Sequence, residues 1–284
     1  MQSIIVDGNK IADSIINDLK KKHKEFNRSL NLAVVLVGKD AASVLFVKKK
    51  QEVARKLDIG FRVFEFENKI SNRTLRKALS EIANDKKNNG ILVQLPLPSH
   101  LNTQYILDTI PLKKDVDVLS SISLGKFYNN KGLIFPPVVG AILKVFAQYD
   151  INVEAKSVVI VGAGQLVGKP LAIELLRRGA TISVLNSLTP RISDYSLGAE
   201  ILISGVGKPG IITQEMIKKG ACIIDAGISS ETAMSGKKIF KGDIDFTGID
   251  KKAKLIVPSS GGLGPITVAM VMNNLVELAR KYGI

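Results

Sequence analysis

Short apolar runs alternate with amphipathic stretches along most of the chain, and this alternation limits the fold more than any other feature. In the first half, strand-like runs at 32–38, 61–67 and 90–96 are separated by helical patterns at about 43–57 and 74–87. In the second half, SVVIVG, TISVLNS, ILISGVG and ACIIDAGI alternate with helical patterns through LAIELLRRG and EMIKKG. Alternation at these lengths is typical of β-α-β units, so we predict an α/β fold with parallel sheets.

The chain length and one irregular segment predict two domains. A chain of 284 residues is long enough for two domains, each with its own core. The two halves are separated by GKFYNNKGLIFPPVVG, which is rich in Gly, Asn and Pro. We predict a first domain over 1–120 and a Rossmann-like second domain over 121–264, with a last helix over 265–284 that packs back on the first. The helical pattern AILKVFAQY could pack on the first domain as well.

Composition indicates a soluble cytoplasmic protein. No apolar run approaches the ~18 residues of a membrane span, and the N-terminus lacks a basic start followed by an apolar segment. Cys222 is the only cysteine, so neither an intramolecular disulfide nor a multi-cysteine metal site is expected. We expect no metal and no membrane partner, and we predict that Cys222 is a buried strand residue.

The net charge of +14, from 40 Lys and Arg against 26 Asp and Glu, raises the hypothesis of a nucleic-acid-binding module. The basic residues occur in short scattered groups, however, with few aromatic residues among them for base stacking. A solvated basic surface is therefore favoured, with attraction of a small anionic substrate as the next interpretation.

A glycine-rich segment, VGAGQLVGKP (161–170), follows the first strand of the second half. Its glycines are Gly162, Gly164 and Gly168, and the helix is expected to begin near Gln165. A strand, a glycine loop and a helix N-terminus together can hold a pyrophosphate, whereas the alternative is a tight strand-to-helix turn. The β-α-β context favours a dinucleotide site.

The next strand ends in Asn186-Ser187-Leu188-Thr189-Pro190-Arg191 and carries no Asp or Glu there. Sites for NAD usually place an acid at this point, whereas hydroxyls and an arginine suit a 2′-phosphate. The sequence therefore favours NADP and leaves NAD open.

Lys50 lies on the apolar face of its predicted helix. With Ser43 as the expected N-cap, a spacing of ~100° per residue places Lys50 within an apolar stripe. The stripe consists of Phe46, Val47, Val53, Ala54 and Leu57. Lys50 either extends to the edge of that stripe or lines a pocket, where burial would lower its pKa toward the ~7 to 8 useful for proton transfer.

Polar residues interrupt two other apolar segments. Gln94 is the single polar residue of the strand GILVQLPLP, near the carboxyl end where α/β sheets bind ligands. Asp115 and Asp117 follow at alternate positions, and one or both could be turn acids.

With these residues assembled, the chain resembles the bifunctional methylenetetrahydrofolate dehydrogenase/cyclohydrolase family nearly from end to end. The matching segments are VGKDAASVLFVKKK (37–50), GILVQLPLP (90–98), KKDVDVL (113–119), VGAGQLVGKP (161–170), GKPGIITQEMIKKGACIIDAGI (207–228), GDIDF (242–246) and VPSSGGLGPITVAM (257–270).

The resemblance implies NAD(P)-linked oxidation of methylenetetrahydrofolate to methenyltetrahydrofolate, then hydrolysis to 10-formyltetrahydrofolate, at one folate site between two domains. It also implies a role in one-carbon metabolism and purine biosynthesis, a homodimer, and folate substrates that include polyglutamylated forms. In this reading Lys50 is catalytic, Gln94 hydrogen-bonds and tunes it, and Asp117 holds the pterin ring. The implied substrate-binding residues are Phe46, Val93, Leu95, Gly261, Gly262 and Pro265. The implied cofactor-binding residues are Gly162, Ala163, Gly164, Gln165, Ser187, Thr189, Arg191, Gly207, Ile228 and Thr267.

The chain departs from the family pattern at four places. Phe46 stands where tyrosine is usual, Val118 where glycine is common, and Ala163 where many members have arginine. FPPVVG (135–140) replaces a more usual P-C-T-P-x-G. Three other functions stay open: a dehydrogenase with weak or absent cyclohydrolase activity, a non-catalytic basic nucleotide- or nucleic-acid-binding protein, and an unrelated two-domain dehydrogenase such as one that acts on a hydroxy acid.

Overall fold

The computed structural model describes residues 3–25, 29–232 and 238–284. In chain order its strands are β1 (Ile4–Ile5), β2 (Asn31–Val37), β3 (Gly60–Phe66), β4 (Gly90–Val93), β5 (Ser157–Val161), β6 (Thr181–Leu185), β7 (Ile201–Ser204), β8 (Cys222–Asp225), β9 (Ser229–Thr232), β10 (Lys238–Lys241) and β11 (Leu255–Val257). Its α-helices are α1 (Gly8–Lys24), α2 (Ala41–Lys56), α3 (Asn72–Asn84), α4 (Thr103–Leu107), α5 (Ser121–Tyr128), α6 (Pro137–Gln148), α7 (Gly168–Arg177), α8 (Ser193–Ser196) and α9 (Gly264–Tyr282).

The chain divides into two compact units. The first unit comprises Ala12–Pro137 and Val268–Ile284, and the second comprises Met1–Ile11 and Val138–Thr267. Both contain parallel sheets flanked by helices, which confirms the predicted fold class of two α/β domains. Residues 121–137 belong to the first unit. Strand β1 belongs to the second unit, because it pairs with β11.

The first unit contains a three-stranded parallel sheet in the order β3-β2-β4. Its central strand β2 is buried along nearly its whole length, as expected for a parallel strand covered on both faces. Helix α3 buries Leu75, Leu79 and Ile82 in the same apolar core as the alternate β2 residues. The carboxyl ends of all three strands therefore lie at one edge, where Gln94 directly follows β4.

The second unit contains a six-stranded sheet in the order β1-β11-β8-β7-β5-β6, in which every described pairing is parallel. Strands β5, β7 and β8 are the predicted apolar runs, and each is almost entirely buried. Cys222 is buried in β8, which confirms its prediction as a buried strand residue.

Several helix ends differ from the sequence-based prediction. Asp40 rather than Ser43 caps α2, because its carboxylate accepts from both the N–H and the hydroxyl of Ser43. Helix α3 begins at Asn72 and ends at Asn84, whereas the prediction placed it over 74–87. The helix expected through EMIKKG is only a 3-10 turn over Gln214–Met216, and α7 begins at Gly168, three residues after Gln165.

The last helix is more apolar than the sequence analysis recognised. Residues 259–282 are long and apolar enough, by length and composition, to cross a membrane, but 72% of the apolar window is buried inside the protein. Within the first unit, the buried amide of Asn274 donates to the carbonyl oxygens of Val116 and Phe135. A polar side chain with these partners identifies this part of α9 as a core helix of the first unit.

Candidate active site

Lys50 and Gln94 meet in the first unit. The Lys50 Nζ donates to the Gln94 Oε1 at 2.7 Å, although the two residues are 44 positions apart. Lys50 is half-buried on α2, whereas Lys48, Lys49, Arg55 and Lys56 are exposed, as the stripe argument predicted. The structure therefore distinguishes one lysine from its neighbours by both burial and partner.

The orientation of the Gln94 amide is fixed by its backbone surroundings. Its Nε2 donates to the carbonyl oxygen of Leu95 at 2.7 Å, and this contact leaves Oε1 directed at the lysine. The backbone N–H of Gln94 donates to the Val35 carbonyl and so extends the sheet ladder by one residue. Gln94 is thus held at the sheet edge, where an amide oxygen can accept from Lys50 and cannot take up a proton itself.

The two aspartates after β4 have different roles. Asp115 is buried and accepts hydrogen bonds from the backbone N–H groups of Leu119 and Ser120 and from the Ser120 hydroxyl. It is therefore the turn acid that the sequence analysis allowed for. Asp117 is half-buried and interacts electrostatically with Lys50, so it is the aspartate of this pair that belongs with the lysine.

Burial shifts the ionisation of both groups toward neutrality. Desolvation lowers the pKa of the Lys50 ammonium, and the negative charge of Asp117 opposes that change. Desolvation raises the pKa of Asp117 to about 6, against the attraction of Lys50 and with a contribution from Asp115. A lowered pKa increases the fraction of neutral amine at a given pH, which favours Lys50 as a group for general acid–base catalysis.

Two departures from the family pattern lie beside this pair. The Phe46 ring centroid is 5.9 Å from the Lys50 Nζ, one helical turn along α2, so the ring lies beside the amine without a hydroxyl. Val118 has φ of +59°, a backbone conformation that is strained for a β-branched residue and easy for glycine. The residue that follows Asp117 therefore holds a conformation that its side chain disfavours.

Val93 and Leu95, which are also predicted to bind substrate, lie on either side of Gln94 in the chain. Val93 is buried as the last residue of β4, so it contributes its backbone position more than its side chain. Leu95 is half-buried and precedes Pro96 through a cis peptide bond.

In the second unit, the three glycines of the loop after β5 meet different surroundings. A Cβ on Gly162 would lie 2.7 Å from the Gly205 carbonyl oxygen, and one on Gly168 would press against the carbonyl of Gly162. Both glycines are thus required by close backbone packing. Among the described residues, a Cβ on Gly164 would meet no atom within 4 Å. Because no described atom fills that space, Gly164 leaves room for a ligand against the backbone, as pyrophosphate sites do. Ala163 is half-buried beside it, and Gln165 is exposed.

The loop after β6 holds the residues predicted to bind a 2′-phosphate. Ser187 is exposed, and the Thr189 hydroxyl accepts from the Asn186 backbone N–H at 3.0 Å. The exposed Arg191 pairs with Asp194, whose carboxylate lies 3.1 Å from the Arg191 Nε. Asp194 was not among the predicted site residues, and its carboxylate lies against the guanidinium that is predicted to bind phosphate.

Gly207 and Ile228 are neighbours at the carboxyl ends of β7 and β8. A Cβ on Gly207, which has φ of +73°, would lie 3.3 Å from the Ile228 carbonyl oxygen. The loop between β11 and α9 contains Gly261 with φ of +71° and buried Gly262. Half-buried Pro265 lies in the first turn of α9, and half-buried Thr267 of the same helix donates its hydroxyl to the carbonyl of Leu263, the residue before the helix.

Two buried aspartates that the sequence analysis left without a role organise these loops. Asp243 accepts from the Ser204 hydroxyl and from the backbone N–H groups of Val206 and Lys208. Asp225 accepts from the backbone N–H groups of Gly227, Asp243 and Ile244, and burial raises its pKa to about 6. Acids at the end of ACIID and within GDIDF were visible in the sequence, but their partners come from distant loops.

Two family models match the chain. The catalytic domain of tetrahydrofolate dehydrogenase/cyclohydrolase matches residues 6–117, and the NAD(P)-binding domain of the same enzymes matches residues 136–283. The chain belongs to the tetrahydrofolate dehydrogenase/cyclohydrolase family. This membership confirms the resemblance that the sequence motifs indicated.

Individual relatives agree over the full length. The chain is 38% identical to the bifunctional protein FolD of Thermodesulfovibrio yellowstonii, covering 99% of this chain and 98% of the relative. The crystal structure of the bifunctional FolD from Campylobacter jejuni matches with a TM-score of 0.91 at 34% identity, with 99% of each chain covered. The Trypanosoma brucei FolD, complexed with NADP cofactor and an inhibitor, matches with a TM-score of 0.94 at 27% identity, covering 100% of this chain and 99% of that one.

The surroundings of Gly168 and Gly164 predict different effects when each is replaced by alanine. Gly168→Ala should lower the free energy of unfolding by about 1–3 kcal/mol, because its Cβ would collide with the Gly162 carbonyl. Gly164→Ala should leave stability nearly unchanged and instead raise the KM for the dinucleotide. Urea denaturation and initial-rate kinetics on both variants measure this contrast. A fully stable Gly164→Ala variant with unchanged KM would mean that no ligand approaches the loop there.

The raised pKa of Asp117 predicts a specific pH dependence of stability. A carboxyl whose folded pKa of about 6 exceeds its ordinary 3.8 binds more protons when folded, so its contribution to stability decreases as pH rises from about 4 to about 6. Relative to the parent, Asp117→Asn should therefore gain roughly 2–3 kcal/mol of unfolding free energy over that interval. Urea denaturation at several pH values measures this difference. Parallel curves for the two proteins would show that Asp117 has an ordinary pKa.

Proposed function

We propose that this protein oxidises 5,10-methylenetetrahydrofolate to 5,10-methenyltetrahydrofolate with NADP+ and then hydrolyses the product to 10-formyltetrahydrofolate. The observation that supports this most directly is the 2.7 Å hydrogen bond between Lys50 and Gln94 in a chain of this family. Its burial and partner give Lys50 the properties of a proton-transfer group, which only the hydrolytic step needs.

In the hydrolytic step, the neutral amine of Lys50 accepts a proton from a water molecule as the water oxygen bonds to the methenyl carbon. The bond from that carbon to N5 of the folate then breaks as the hydroxyl oxygen on the same carbon forms the formyl C=O and releases its remaining proton to solvent. The proton held by the lysine passes to N5, which leaves Lys50 neutral again. Gln94 holds the Nζ in place throughout by accepting its hydrogen bond. Asp117 provides a carboxylate that can accept hydrogen bonds from the pterin ring, and Phe46 provides a flat apolar surface beside the amine.

In the oxidative step, the residues position the reactants and need not transfer a proton. NADP+ supplies the hydride acceptor when it is bound. The open space at Gly164 fits a dinucleotide backbone, and Gly162, Ala163 and Gln165 complete that loop. Ser187, Thr189 and Arg191 would hold the 2′-phosphate, while Gly207, Ile228 and Thr267 would line the rest of the cofactor site.

The remaining parts of the proposal concern context. Folate binding would also use Val93, Leu95, Gly261, Gly262 and Pro265, and the substrates would include polyglutamylated folates. The folate domain would cover 1–120 with the helix over 265–284, and the dinucleotide domain 121–264. We further propose a cytoplasmic homodimer that serves purine biosynthesis and has neither a nucleic-acid nor a membrane partner. Size-exclusion chromatography with light scattering tests the dimer directly.

Substitution of Lys50 tests the proposed chemistry. Lys50→Met should reduce cyclohydrolase activity by ~10²- to 10⁴-fold, because the hydrolysis loses its proton-transfer group. Dehydrogenase activity should decrease less, since hydride transfer loses only positioning. Absorbance assays of methenyltetrahydrofolate hydrolysis and of NADPH formation measure the two steps separately.

The matched control is Lys49→Met, which removes an exposed lysine from the adjacent position of the same helix. Both activities should survive this substitution. Equal hydrolysis rates in the Lys50→Met and Lys49→Met variants would contradict the proposed role of Lys50. Failure of the parent protein to reduce either NADP+ or NAD+ with methylenetetrahydrofolate would contradict the proposed function as a whole.

Cofactor preference depends on Arg191 in this proposal. Arg191→Ala should raise the KM for NADP+ about tenfold or more, because a charged hydrogen bond to phosphate is lost, and should leave the KM for NAD+ nearly unchanged. Asp194→Asn should lower the KM for NADP+, since it removes the carboxylate that occupies the guanidinium. Parallel kinetics with both nucleotides measure these values, and an equal change for NAD+ and NADP+ would rule out a phosphate contact at Arg191.

A further inference from the structure

A cavity of about 770 Å³ opens at the edge of the first-unit sheet where its strands begin. This volume is within the range of small-molecule sites. Its wall is formed by the start of β2, by the loop between α3 and β4, by residues before Asp115 and by the end of the chain. The lining residues are Ser29, Asn31, Arg62, Lys86, Lys87, Asn88, Asn89, Lys113, Lys114, Gly283 and Ile284.

The described lining contains five basic side chains and no acidic one. Two of the five have fixed positions. Arg62 donates to the carboxylate of Asp85 at 2.7 Å and to the Asn88 amide oxygen at 2.9 Å. Lys114 is only 6% exposed and donates to the carbonyl oxygens of Ala83 and Asp85. These contacts hold the two cationic groups in place, with the charge of Arg62 offset by Asp85.

The other three cations, Lys86, Lys87 and Lys113, are exposed and make no ion pair among the residues that the structure describes. The carboxylate of Asp85 is already used by Arg62 and by the Lys87 backbone N–H. Burial lowers the pKa of Lys114, the neighbouring charge of Lys113 lowers it further, and the charge of Asp85 opposes the change.

This cavity is separate from the catalytic group. Asn89 lies immediately before β4 and Gln94 immediately after it, so the strand puts about 16 Å between them. Lys50, Gln94 and Asp117 are absent from the lining. A ligand of the cavity therefore does not have to be the folate or the dinucleotide.

We propose that this cavity, here called the basic cavity, binds a small anion that carries two or more phosphate groups. Its size suits a small molecule, and closely spaced lysines suit concentrated negative charge. Its described lining contains no aromatic ring on which a base could stack, so recognition would be of the phosphates and not of a nucleobase. The proposal does not depend on the proposed enzymatic function.

Isothermal titration calorimetry with two probes tests the basic cavity. Inorganic triphosphate represents contiguous phosphates, and fructose 1,6-bisphosphate represents separated phosphates on an organic scaffold. No nucleotide is present, because NADP+ carries phosphate groups of its own, and the cavity variant described below separates this site from the glycine loop. We expect at least one probe to bind, with an affinity that decreases as salt is added.

The decisive comparison is between two triple variants with the same change in charge. Lys86→Gln/Lys87→Gln/Lys113→Gln should weaken binding about tenfold or more, because three cationic contacts are lost. The control Lys20→Gln/Lys21→Gln/Lys77→Gln changes three exposed lysines outside the cavity and should bind within about twofold of the parent. Dehydrogenase and cyclohydrolase activities of both variants should match the parent, which separates this site from the catalytic one.

Two results would overturn the proposal. One is the absence of binding by both probes to the parent protein at low salt. The other is an equal loss of affinity in the two triple variants, since this would assign the binding to the overall charge of +14 and not to the basic cavity. Binding of triphosphate alone, or of both probes, with loss confined to the cavity variant would support it and identify the phosphate spacing.

Discussion

A parallel sheet brings the carboxyl ends of its strands to one edge, and the functional geometry of both units depends on this constraint. In the first unit it places Gln94, at the end of β4, where Lys50 of α2 can reach it. In the second unit it places the glycine loop after β5, the Arg191 loop after β6 and Gly207 after β7 along one edge. Side chains far apart in the chain can therefore act together without any distortion of the strands.

Buried polar groups fix the loops that leave these edges. Asp115 holds the turn before α5, and Asp225 and Asp243 hold the segments after β7 and β8 through bonds to backbone N–H groups. Such bonds offset the cost of burying a carboxyl group and define the loop conformation. Burial shifts the pKa of Asp225, Lys50 and Asp117 toward neutrality, but different interactions oppose the shift: backbone hydrogen bonds in Asp225, and the attraction between the two opposite charges in Lys50 and Asp117. The protein thus uses the same residue types for rigid support and for a proton-transfer site.

The basic residues of the chain do not all have the same surroundings. Most lysines are exposed, as the interpretation of a solvated basic surface expected. At the edge opposite Gln94, however, five basic side chains line one cavity. The two edges of one sheet therefore carry different chemistry, because strand direction separates their loops by the full length of the strands.

The sequence by itself determined the α/β class, the positions of most strands, the glycine loop, the anomalous face of Lys50 and the family. These properties follow from residues that are neighbours in the chain or one helical turn apart, so periodicity and motif spacing reveal them. Only the tertiary structure decided that Asp117, and not Asp115, interacts with Lys50, and that Gln94 accepts the hydrogen bond of the Lys50 amine. It also decided the roles of Asp225 and Asp243 and the existence of the basic cavity. Hydrogen bonds and charges act over a few ångströms in space, and the folding of the sheets, not the order of residues, decides which groups come within that distance.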